Sequence, residues 1–231
     1  MQRLFILFLF FFIPLTLGTV PAPDFPESDD SGCHMLYEAL GLGSLVNYAA
    51  FEQAWEGYAR IEDKKKEILT LIDFSKPSTE ERLYVIDMKR KELLFVSHVS
   101  HGQNSGANYA TDFSNRMGSH QSSLGFYLTE NTYAGRNGYS LVLDGLEAGI
   151  NDQAKARAVV IHGAAYANPS VIPSMGRLGR SHGCPALPEA LNRPIIDAIK
   201  GGSVLFIYAD HKDYLVQSEI LNTLSSRVAQ L

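Results

Sequence analysis

The sequence predicts a mostly β protein of the α+β class: a β-sandwich or barrel with an N-terminal helical segment and a few peripheral helices. Short runs rich in β-branched and aromatic residues, separated by turn residues, recur between residues 69 and 208. Many short strands combined with few long helices are typical of sandwiches and barrels. The chain has 231 residues, of which 45% are hydrophobic and 19% charged, and this suffices for one sizeable core.

Residues 1–18 have the pattern of a secretory signal peptide, with Arg3 before an apolar stretch and small residues at its end. The apolar stretch, Leu4 to Leu17, is shorter than the about 20 residues that a membrane span needs. A retained N-terminal anchor is the alternative. We therefore expect export, to the periplasm or cell envelope. Residues 19–34 are rich in Pro, Asp and Ser, and we expect them to form a flexible linker.

Residues 35–72 form a predicted helical lead-in, because apolar side chains recur there at helical spacing, with a break near Gly41. The main domain is predicted at 73–210, with a helical tail at 211–231. A segment rich in Gly, Asn and Ser, 101–118, is predicted to be a loop. The predicted strands are 69–74, 82–89, 92–100, 125–129, 139–143, 158–161 and 203–208, and the further predicted helices are 146–157 and 188–200.

The stretch from 158 to 188 holds the residues best suited to chemistry. A buried strand is predicted at 158–161, and His162 closes this run. A loop rich in Gly and Pro then leads to Ser181, His182, Gly183 and Cys184. A thiol becomes a useful nucleophile as the thiolate, and a nearby imidazole can take its proton. Gly183 leaves room for backbone N–H groups to approach a developing oxyanion.

The two histidines of this stretch have different expected roles. His162 can accept the Cys184 proton only if its other ring nitrogen is held by an acceptor, which fixes the tautomer. Gly163 has no side chain for this, so we expect a backbone carbonyl, with Asp144 or Asp152 as further candidates. His182 either favours the thiolate electrostatically or lies exposed on the loop.

Three more side chains are candidates for binding a substrate. Arg177 and Arg180 flank the loop leading to Cys184, and a guanidinium suits a substrate carboxylate. The alternative is that one of them ties the loop to backbone carbonyls. His101 begins the 101–118 loop, and we expect it to face the same cleft.

Other interpretations of these residues stay open. His162, His182 and Cys184 together could bind zinc, although no Cys-x-x-Cys or His-Glu-x-x-His spacing supports a metal site. A papain-like protease would carry its cysteine before its histidine, which is the opposite order. A disulfide between Cys33 and Cys184 would leave His162 without a purpose, so we expect Cys33 to be a surface thiol without a catalytic role.

Four segments carry a resemblance to a known family: IHGAAY, GRLGRSHGCPAL, HGQNSG and SSLGFY. From about Tyr37 to Tyr208 the chain resembles the YkuD-type L,D-transpeptidases, and within them the murein L,D-transpeptidase catalytic-domain branch. Two features differ from the broader family. The 18 residues between His162 and Ser181 are slightly more than usual, and Ala186 stands where an Asn or Arg commonly follows the cysteine.

This resemblance implies a YkuD-like fold, with 73–210 as the catalytic domain, and a peptidoglycan L,D-transpeptidase that uses no metal or cofactor. The acyl donor would be a tetrapeptide stem, and the acceptor an amine of a second stem, a D-amino acid or a lipoprotein. The alternatives are an L,D-carboxypeptidase with water as acceptor and a non-catalytic wall-binding module. The implied catalytic residues are Cys184, His162, Gly183, Ser181 and His182, and the implied substrate-binding residues are Arg180, Arg177, Tyr166 and His101.

The charge of the chain bears on its partners. The formal net charge is −5, and the lysine run 64–66 lies among acidic residues. Such a sequence lacks the clustered basic residues that bind nucleic acid. We therefore expect no nucleic-acid partner. Separately, we expect the protein to be a monomer.

Overall fold

The computed structural model describes residues 30–222. The predicted signal peptide, residues 19–29 of the predicted linker and residues 223–231 of the predicted tail lie outside this range. Within 30–222, no helix combines the length and the apolar character that crossing a membrane requires.

One eight-stranded mixed sheet organises the described residues, in the order β3-β2-β1-β8-β4-β5-β6-β7. The β1–β8 and β6–β7 pairs are parallel, and the other neighbours are antiparallel. The strands are β1 (Ile68–Asp73), β2 (Leu83–Asp87), β3 (Glu92–Ser97), β4 (Gly125–Gly135), β5 (Gly138–Gly145), β6 (Val160–Gly163), β7 (Ala186–Leu187) and β8 (Val204–Tyr208). The predicted fold class is confirmed.

The two edges of the sheet approach each other. Strand β3 is one edge and β7 the other, and Ser100, three residues beyond β3, forms an antiparallel bridge with Ala186 of β7. Both backbone hydrogen bonds of this bridge are present, with N···O distances of 2.8 and 3.3 Å. The sheet is therefore nearly closed into a barrel, with this bridge joining its two edges.

The centre of the sheet is the most deeply buried part of the protein. Strand β8 is buried at all five positions, and Leu69, Leu71 and Ile72 of β1 have no exposed surface. Continuous apolar burial is expected for parallel strands that are covered on both faces. Each such side chain stabilises the fold by about 1.5–3 kcal/mol relative to exposure to water.

Helices cover this sheet from both ends of the sequence. They are α1 (Asp30–Ala39), α2 (Tyr48–Arg60), α3 (Ile172–Met175), α4 (Glu189–Ile199) and α5 (Lys212–Gln217). Helix α2 packs on β1 and β8, and the Asn47 side chain caps its first turn by accepting from the Ala49 N–H at 3.0 Å. At its other end, Arg60 donates to the carbonyls of Ile220 and Leu221, which joins the lead-in to the C-terminal segment.

The N-terminal prediction requires a correction. Helix α1 begins at Asp30, so residues 30–34 are helical rather than part of a flexible linker. Cys33 is only 2% exposed and packs in the core with Leu36 and Tyr37, so it is not a surface thiol. The buried residues at positions 33, 36 and 37 form one apolar helix face, which secures the helix against the core.

The predicted helix at 146–157 is wrong, because this segment is a series of turns. The Glu147 carbonyl accepts from three successive N–H groups, those of residues 150–152, and Gly149 takes a left-handed φ of 75°. Ala158 also has a positive φ, 53°, which delays the following strand. Strand β6 therefore starts at Val160, two residues after the predicted start at Ala158, and His162 lies near the end of the strand, as predicted.

Gly57 provides a test of the α2–sheet contact. A Cβ added at Gly57 would overlap the ring of Phe126, which is fully buried and stacked on Phe206 at 4.2 Å. We expect Gly57→Ala to destabilise the protein by about 1–3 kcal/mol through overpacking, although Gly→Ala within a helix normally stabilises it by about 0.5–1 kcal/mol. Urea denaturation would measure the change.

The matched control is Gly43→Ala, because no atom lies within 4 Å of a Cβ added there. We expect little loss of stability for this variant. Equal stability of Gly57→Ala and the wild type would contradict the tight contact between α2 and Phe126.

Candidate active site

His162 is held by the sheet on both sides. Its backbone pairs with Ser140 of β5 and with Ala186 of β7, and His162 is only 5% exposed. The imidazole Nδ1 lies 3.0 Å from the carbonyl oxygen of Gly163. A carbonyl can only accept a hydrogen bond, so Nδ1 carries a proton, and in the neutral ring Nε2 is the nitrogen with the lone pair. The predicted backbone acceptor for His162 is confirmed.

The two carboxylates that were further candidates for this role are used elsewhere. Asp144 pairs with Lys155 at 3.0 Å. Asp152 accepts from the Asn115 amide at 2.6 Å and from the Gly149 N–H at 2.9 Å. Neither of them orients the imidazole of His162.

Cys184 lies at the end of the turn that leads into β7. The β6–β7 pairing matches His162 with Ala186, and two residues earlier on each chain segment are Val160 and Cys184. The Val160 N–H donates to Sγ at 3.5 Å, and the thiol donates to the Ala158 carbonyl at 3.7 Å. The parallel pairing thus places the thiol beside the strand that carries His162.

In residues 30–222, neither ring nitrogen of His162 makes a hydrogen bond to Sγ. Hydrogen bonds between a nucleophile and its base are often long or misaligned in a free enzyme and shorten when substrate binds. Burial raises the pKa of the Cys184 thiol, while the Val160 N–H and the charge of Arg157 offset part of this rise. The thiol is therefore largely protonated near neutral pH and needs a base.

The turn from Ser181 to Cys184 is stabilised internally. The Ser181 hydroxyl donates to the Cys184 carbonyl at 2.6 Å and accepts from the Gly183 N–H at 3.0 Å. Gly183 has a φ of 121°, and a Cβ there would lie 2.8 Å from the Gln121 carbonyl oxygen. This position therefore requires glycine.

These bonds correct the predicted oxyanion site. The Gly183 N–H is occupied by Ser181, so it is not available to an oxyanion. The Cys184 N–H lies close to its own sulfur and makes no other hydrogen bond in the described part of the chain. Only the Cys184 N–H of the predicted pair is thus free to donate to a bound carbonyl.

His182 lies at the exposed rim of the site. Its ring stacks on that of His120, with centroids 4.3 Å apart and planes 9° from parallel. His120 in turn is 3.0 Å from the Gln103 amide nitrogen, which ties it to the 101–118 loop. The expectation that His182 is an exposed loop residue agrees with this position.

The prediction that His101 faces the substrate cleft is wrong. His101 is 1% exposed, its Nδ1 accepts from Arg82 at 2.8 Å, and its Nε2 is 3.4 Å from the Gly106 carbonyl. Burial, followed by the charge of Arg82, lowers the pKa of His101 to about 3. A neutral, buried ring with both nitrogens engaged supports the loop and does not contact substrate.

Arg82 is a supporting residue that the sequence did not reveal. It has no exposed surface, and its Nε and Nη2 donate to the Val99 carbonyl at 3.0 and 2.8 Å. Burial lowers the pKa of this guanidinium to about 9, so it stays charged at neutral pH. No sequence signal distinguished it from an ordinary surface arginine before β2.

The two loop arginines both bind backbone carbonyls. Arg180 Nη1 donates to the carbonyls of Gln103 and Gly106 at 3.0 and 2.8 Å, and Arg177 Nη1 donates to that of Leu178 at 2.7 Å. The structural alternative thus holds for both. The Nε and Nη2 groups of Arg180 make no hydrogen bond within residues 30–222, so it keeps donors for a ligand.

Tyr166 is partly buried on the loop that follows β6. Burial, and next the charge of a Cys184 thiolate, raises the pKa of Tyr166 to about 12, so its hydroxyl is protonated and lies near the thiol. That hydroxyl makes no hydrogen bond to any part of the chain that the structure describes. It is therefore available to a bound molecule.

Within 30–222 no three His, Cys, Asp or Glu side chains come together in an arrangement that could hold a metal ion, and His162, His182 and Cys184 form no such group. Both cysteines are free thiols, so the Cys33–Cys184 disulfide is not formed.

The two thiols should differ in reactivity. We expect iodoacetamide to modify Cys184 in the native protein, faster as pH rises through its raised pKa, because the thiolate is the reactive form. Cys33, only 2% exposed, should react only after unfolding in urea. Peptide mass spectrometry would measure both modifications, with Cys184→Ala as the control that takes up no label when folded. Rapid native labelling of Cys33 would contradict its burial.

Comparison with known proteins shows the family of this chain. A sequence profile described as the L,D-transpeptidase catalytic domain matches residues 43–208, starting inside the predicted helical lead-in. No curated protein matches the chain.

Solved structures give weak matches. An L,D-transpeptidase from Mycobacterium smegmatis is 16% identical, with a TM-score of 0.38 and coverage of 62% of this chain and 59% of that one. The helical cell shape determining protein Pgp2 from Campylobacter jejuni is 12% identical, with a TM-score of 0.43 and coverage of 77% and 63%. The chain thus spans less than two thirds of either protein. Because the profile match extends over most of the chain, this protein belongs to the family of L,D-transpeptidase catalytic domains.

Proposed function

We propose that this protein is a peptidoglycan L,D-transpeptidase in which Cys184 attacks the amide between the L-configured third centre and the terminal D-Ala of a tetrapeptide stem. Family membership supports the reaction class. The observation that carries the mechanism is the fixed tautomer of His162, whose Nδ1–H is bound to Gly163 while Nε2 is left free as a base. The nucleophile and this base lie on adjacent segments of the sheet.

In the first half-reaction, His162 Nε2 accepts the thiol proton and Sγ forms a bond to the donor carbonyl carbon. The Cys184 N–H stabilises the resulting oxyanion. The C–N bond then breaks, and D-Ala leaves as an amine with the proton that His162 returns. A thioester to Cys184 remains.

In the second half-reaction, an acceptor amine attacks the thioester and passes a proton to His162. Collapse of the tetrahedral intermediate forms the new amide and releases Cys184 as a thiolate, which takes the proton back. The acceptor is an amine of a second stem, a D-amino acid or a lipoprotein. Hydrolysis by water in the same step would make the protein an L,D-carboxypeptidase.

We assign substrate-facing residues from side-chain donors that have no hydrogen-bond partner within residues 30–222. Arg180 has free Nε and Nη2 donors, which suit a carboxylate of the stem peptide. The Tyr166 hydroxyl lies near the thiol and has a free donor as well. Arg177 orients the loop, and His182 lines the exposed rim. His101 has no place in this set, because it is buried.

The location of the proposed substrate indicates where the enzyme acts. A stem peptide lies in the cell wall, so the enzyme acts after export, in the periplasm or cell envelope. The signal-peptide pattern at 1–18 supports export. We propose a monomeric catalytic unit centred on residues 73–210, with the helical lead-in packed on its sheet.

A defined tetrapeptide muropeptide distinguishes the candidate activities. We expect the purified protein to yield a cross-linked dimer with loss of D-Ala, read as product masses. A tripeptide alone would show the carboxypeptidase, and unchanged substrate would show a non-catalytic module. Cys184→Ala is the control, and it should give no product while keeping the wild-type circular dichroism.

The base assignment is tested by acylation with a carbapenem, a class that the family resemblance implies will react. We expect His162→Ala to lower the acylation rate near pH 7 by about 10²–10⁴-fold, because general-base catalysis is lost and a thiol with a raised pKa is mostly protonated. Part of the rate should return as pH rises. The matched control His182→Ala removes the other imidazole of the site and should cost much less.

Rates would be taken from the mass of the acyl-enzyme over time at several pH values. A larger loss in His182→Ala than in His162→Ala, with the neutral-pH rate of His162→Ala preserved, would show that the wrong histidine was assigned as base.

A further inference from the structure

We propose that Arg157, which belongs to the turns before β6, is a positioning residue: a permanent cation that stabilises the Cys184 thiolate and holds the 114–123 loop against the catalytic turn. The importance of this thiolate for catalysis rests on the proposed function. The placement of the cation rests on the contacts of Arg157 alone.

The guanidinium of Arg157 binds four oxygen atoms of one loop. Nη1 donates to the Ser114 carbonyl at 2.6 Å and to the Ser123 hydroxyl at 3.3 Å. Nη2 donates to the Gln121 carbonyl at 2.6 Å and to the Ser119 hydroxyl at 3.2 Å. All four partners are uncharged, and no carboxylate lies within 4.0 Å of Arg157 in residues 30–222. Its positive charge is therefore oriented but not neutralised.

The same guanidinium lies against the backbone that precedes the nucleophile. A Cβ added at Gly183 would be 3.3 Å from Arg157 Nη2 and 2.8 Å from the Gln121 carbonyl oxygen. The Ser122 hydroxyl donates to the Gly183 carbonyl at 3.1 Å, which joins the loop directly to the turn. The absence of a side chain at Gly183 thus allows the cation to approach the turn next to Cys184.

The electrostatic effects of the two groups on each other are consistent with this contact. Burial raises the pKa of Cys184, and the charge of Arg157 opposes that rise. Burial lowers the pKa of Arg157, whereas negative charge on Tyr127 or Cys184 opposes that change. A cation that no carboxylate neutralises stabilises an adjacent anion more strongly in a partly buried site than at an exposed position.

The other titratable groups around the thiol do not supply a permanent positive charge. Tyr166 faces it from the loop after β6 as a neutral phenol. The His162 imidazole on β6 binds the Gly163 carbonyl through Nδ1, and His182 is exposed and stacked on His120. Arg157 is the cation near Cys184 whose charge stays constant across the working range of an imidazole base. Together with the Val160 N–H it therefore increases the fraction of thiolate before substrate arrives.

A purely structural role of Arg157, as a clamp for the loop, is the competing explanation. The pH profile of Cys184 alkylation separates the two, because a charge moves the midpoint of the profile and a clamp alone does not. Iodoacetamide modification of the Cys184 peptide, followed by mass spectrometry, gives this profile without any peptidoglycan substrate.

We expect Arg157→Met to raise the midpoint by about one pH unit, which is about tenfold less thiolate at any pH well below it. Arg157→Lys keeps a positive charge and should stay within a few tenths of a unit of the wild type. The charge-matched control is Arg116→Met, since Arg116 is exposed on the same loop and its side chain makes no hydrogen bond in the described residues. This control should leave the midpoint unchanged.

An unmoved midpoint in folded Arg157→Met overturns the proposal. So does an equal shift in Arg157→Lys and Arg157→Met, because the charge would then not be the cause. If Arg157→Met fails to fold, Arg157→Gln replaces it: a raised midpoint in Arg157→Gln beside a wild-type midpoint in Arg157→Lys supports the proposal, and an unmoved midpoint in Arg157→Gln refutes it. A protein that shows these shifts but transfers no stem peptide would refute the proposed function and leave the role of Arg157 intact.

Discussion

The parallel pairing of β6 with β7 is the constraint on which the active site depends. Strand β7 has only two residues, and Ala186 is bonded on one side to β6 and on the other to Ser100. This double pairing fixes the backbone two residues beyond Cys184. A thiol on a free loop would lose that position relative to His162, and the geometry required for proton transfer would be lost with it.

The segment that supports β7 depends in turn on a buried cation. Arg82 binds the Val99 carbonyl and the ring of His101, immediately before and after Ser100. The His101 carbonyl accepts from the Ser181 N–H at 2.9 Å, so the same segment also holds the start of the catalytic turn. The site is thus supported from below by one guanidinium, Arg82, and from the side by another, Arg157. Arg82 binds backbone carbonyls and the His101 ring, whereas Arg157 binds two backbone carbonyls and two serine hydroxyls, and each thereby fixes a loop.

Local patterns were sufficient to predict much of this fold. Strands such as β1 and β8 are buried at nearly every position, so their sequences are short runs dominated by apolar residues, and such runs between turn residues predict strands. His162 and Cys184 could be singled out as the candidate base and nucleophile because that choice depends on residue types and on one short motif, and their chemistry stays a prediction. The backbone acceptor for His162 could be predicted because the neighbouring residue is glycine.

The remaining features depend on tertiary contacts that no local pattern encodes. The turns at 146–157 follow from left-handed backbone at Gly149 and from Glu147, whose carboxylate accepts from the Phe126 N–H and the Tyr214 hydroxyl. His101 looked like an exposed loop residue because its partner, Arg82, lies 19 positions away. Arg157 gave no signal, because its partners, two backbone carbonyls and two serine hydroxyls, lie 34 to 43 positions away in the sequence.

The parallel β1–β8 pair joins Leu69 to Val204, so it closes a loop of most of the domain. Contacts this distant in sequence form slowly. Until this long-range pair has formed, the core that buries Cys33 is incomplete, and its thiol is accessible to oxidants.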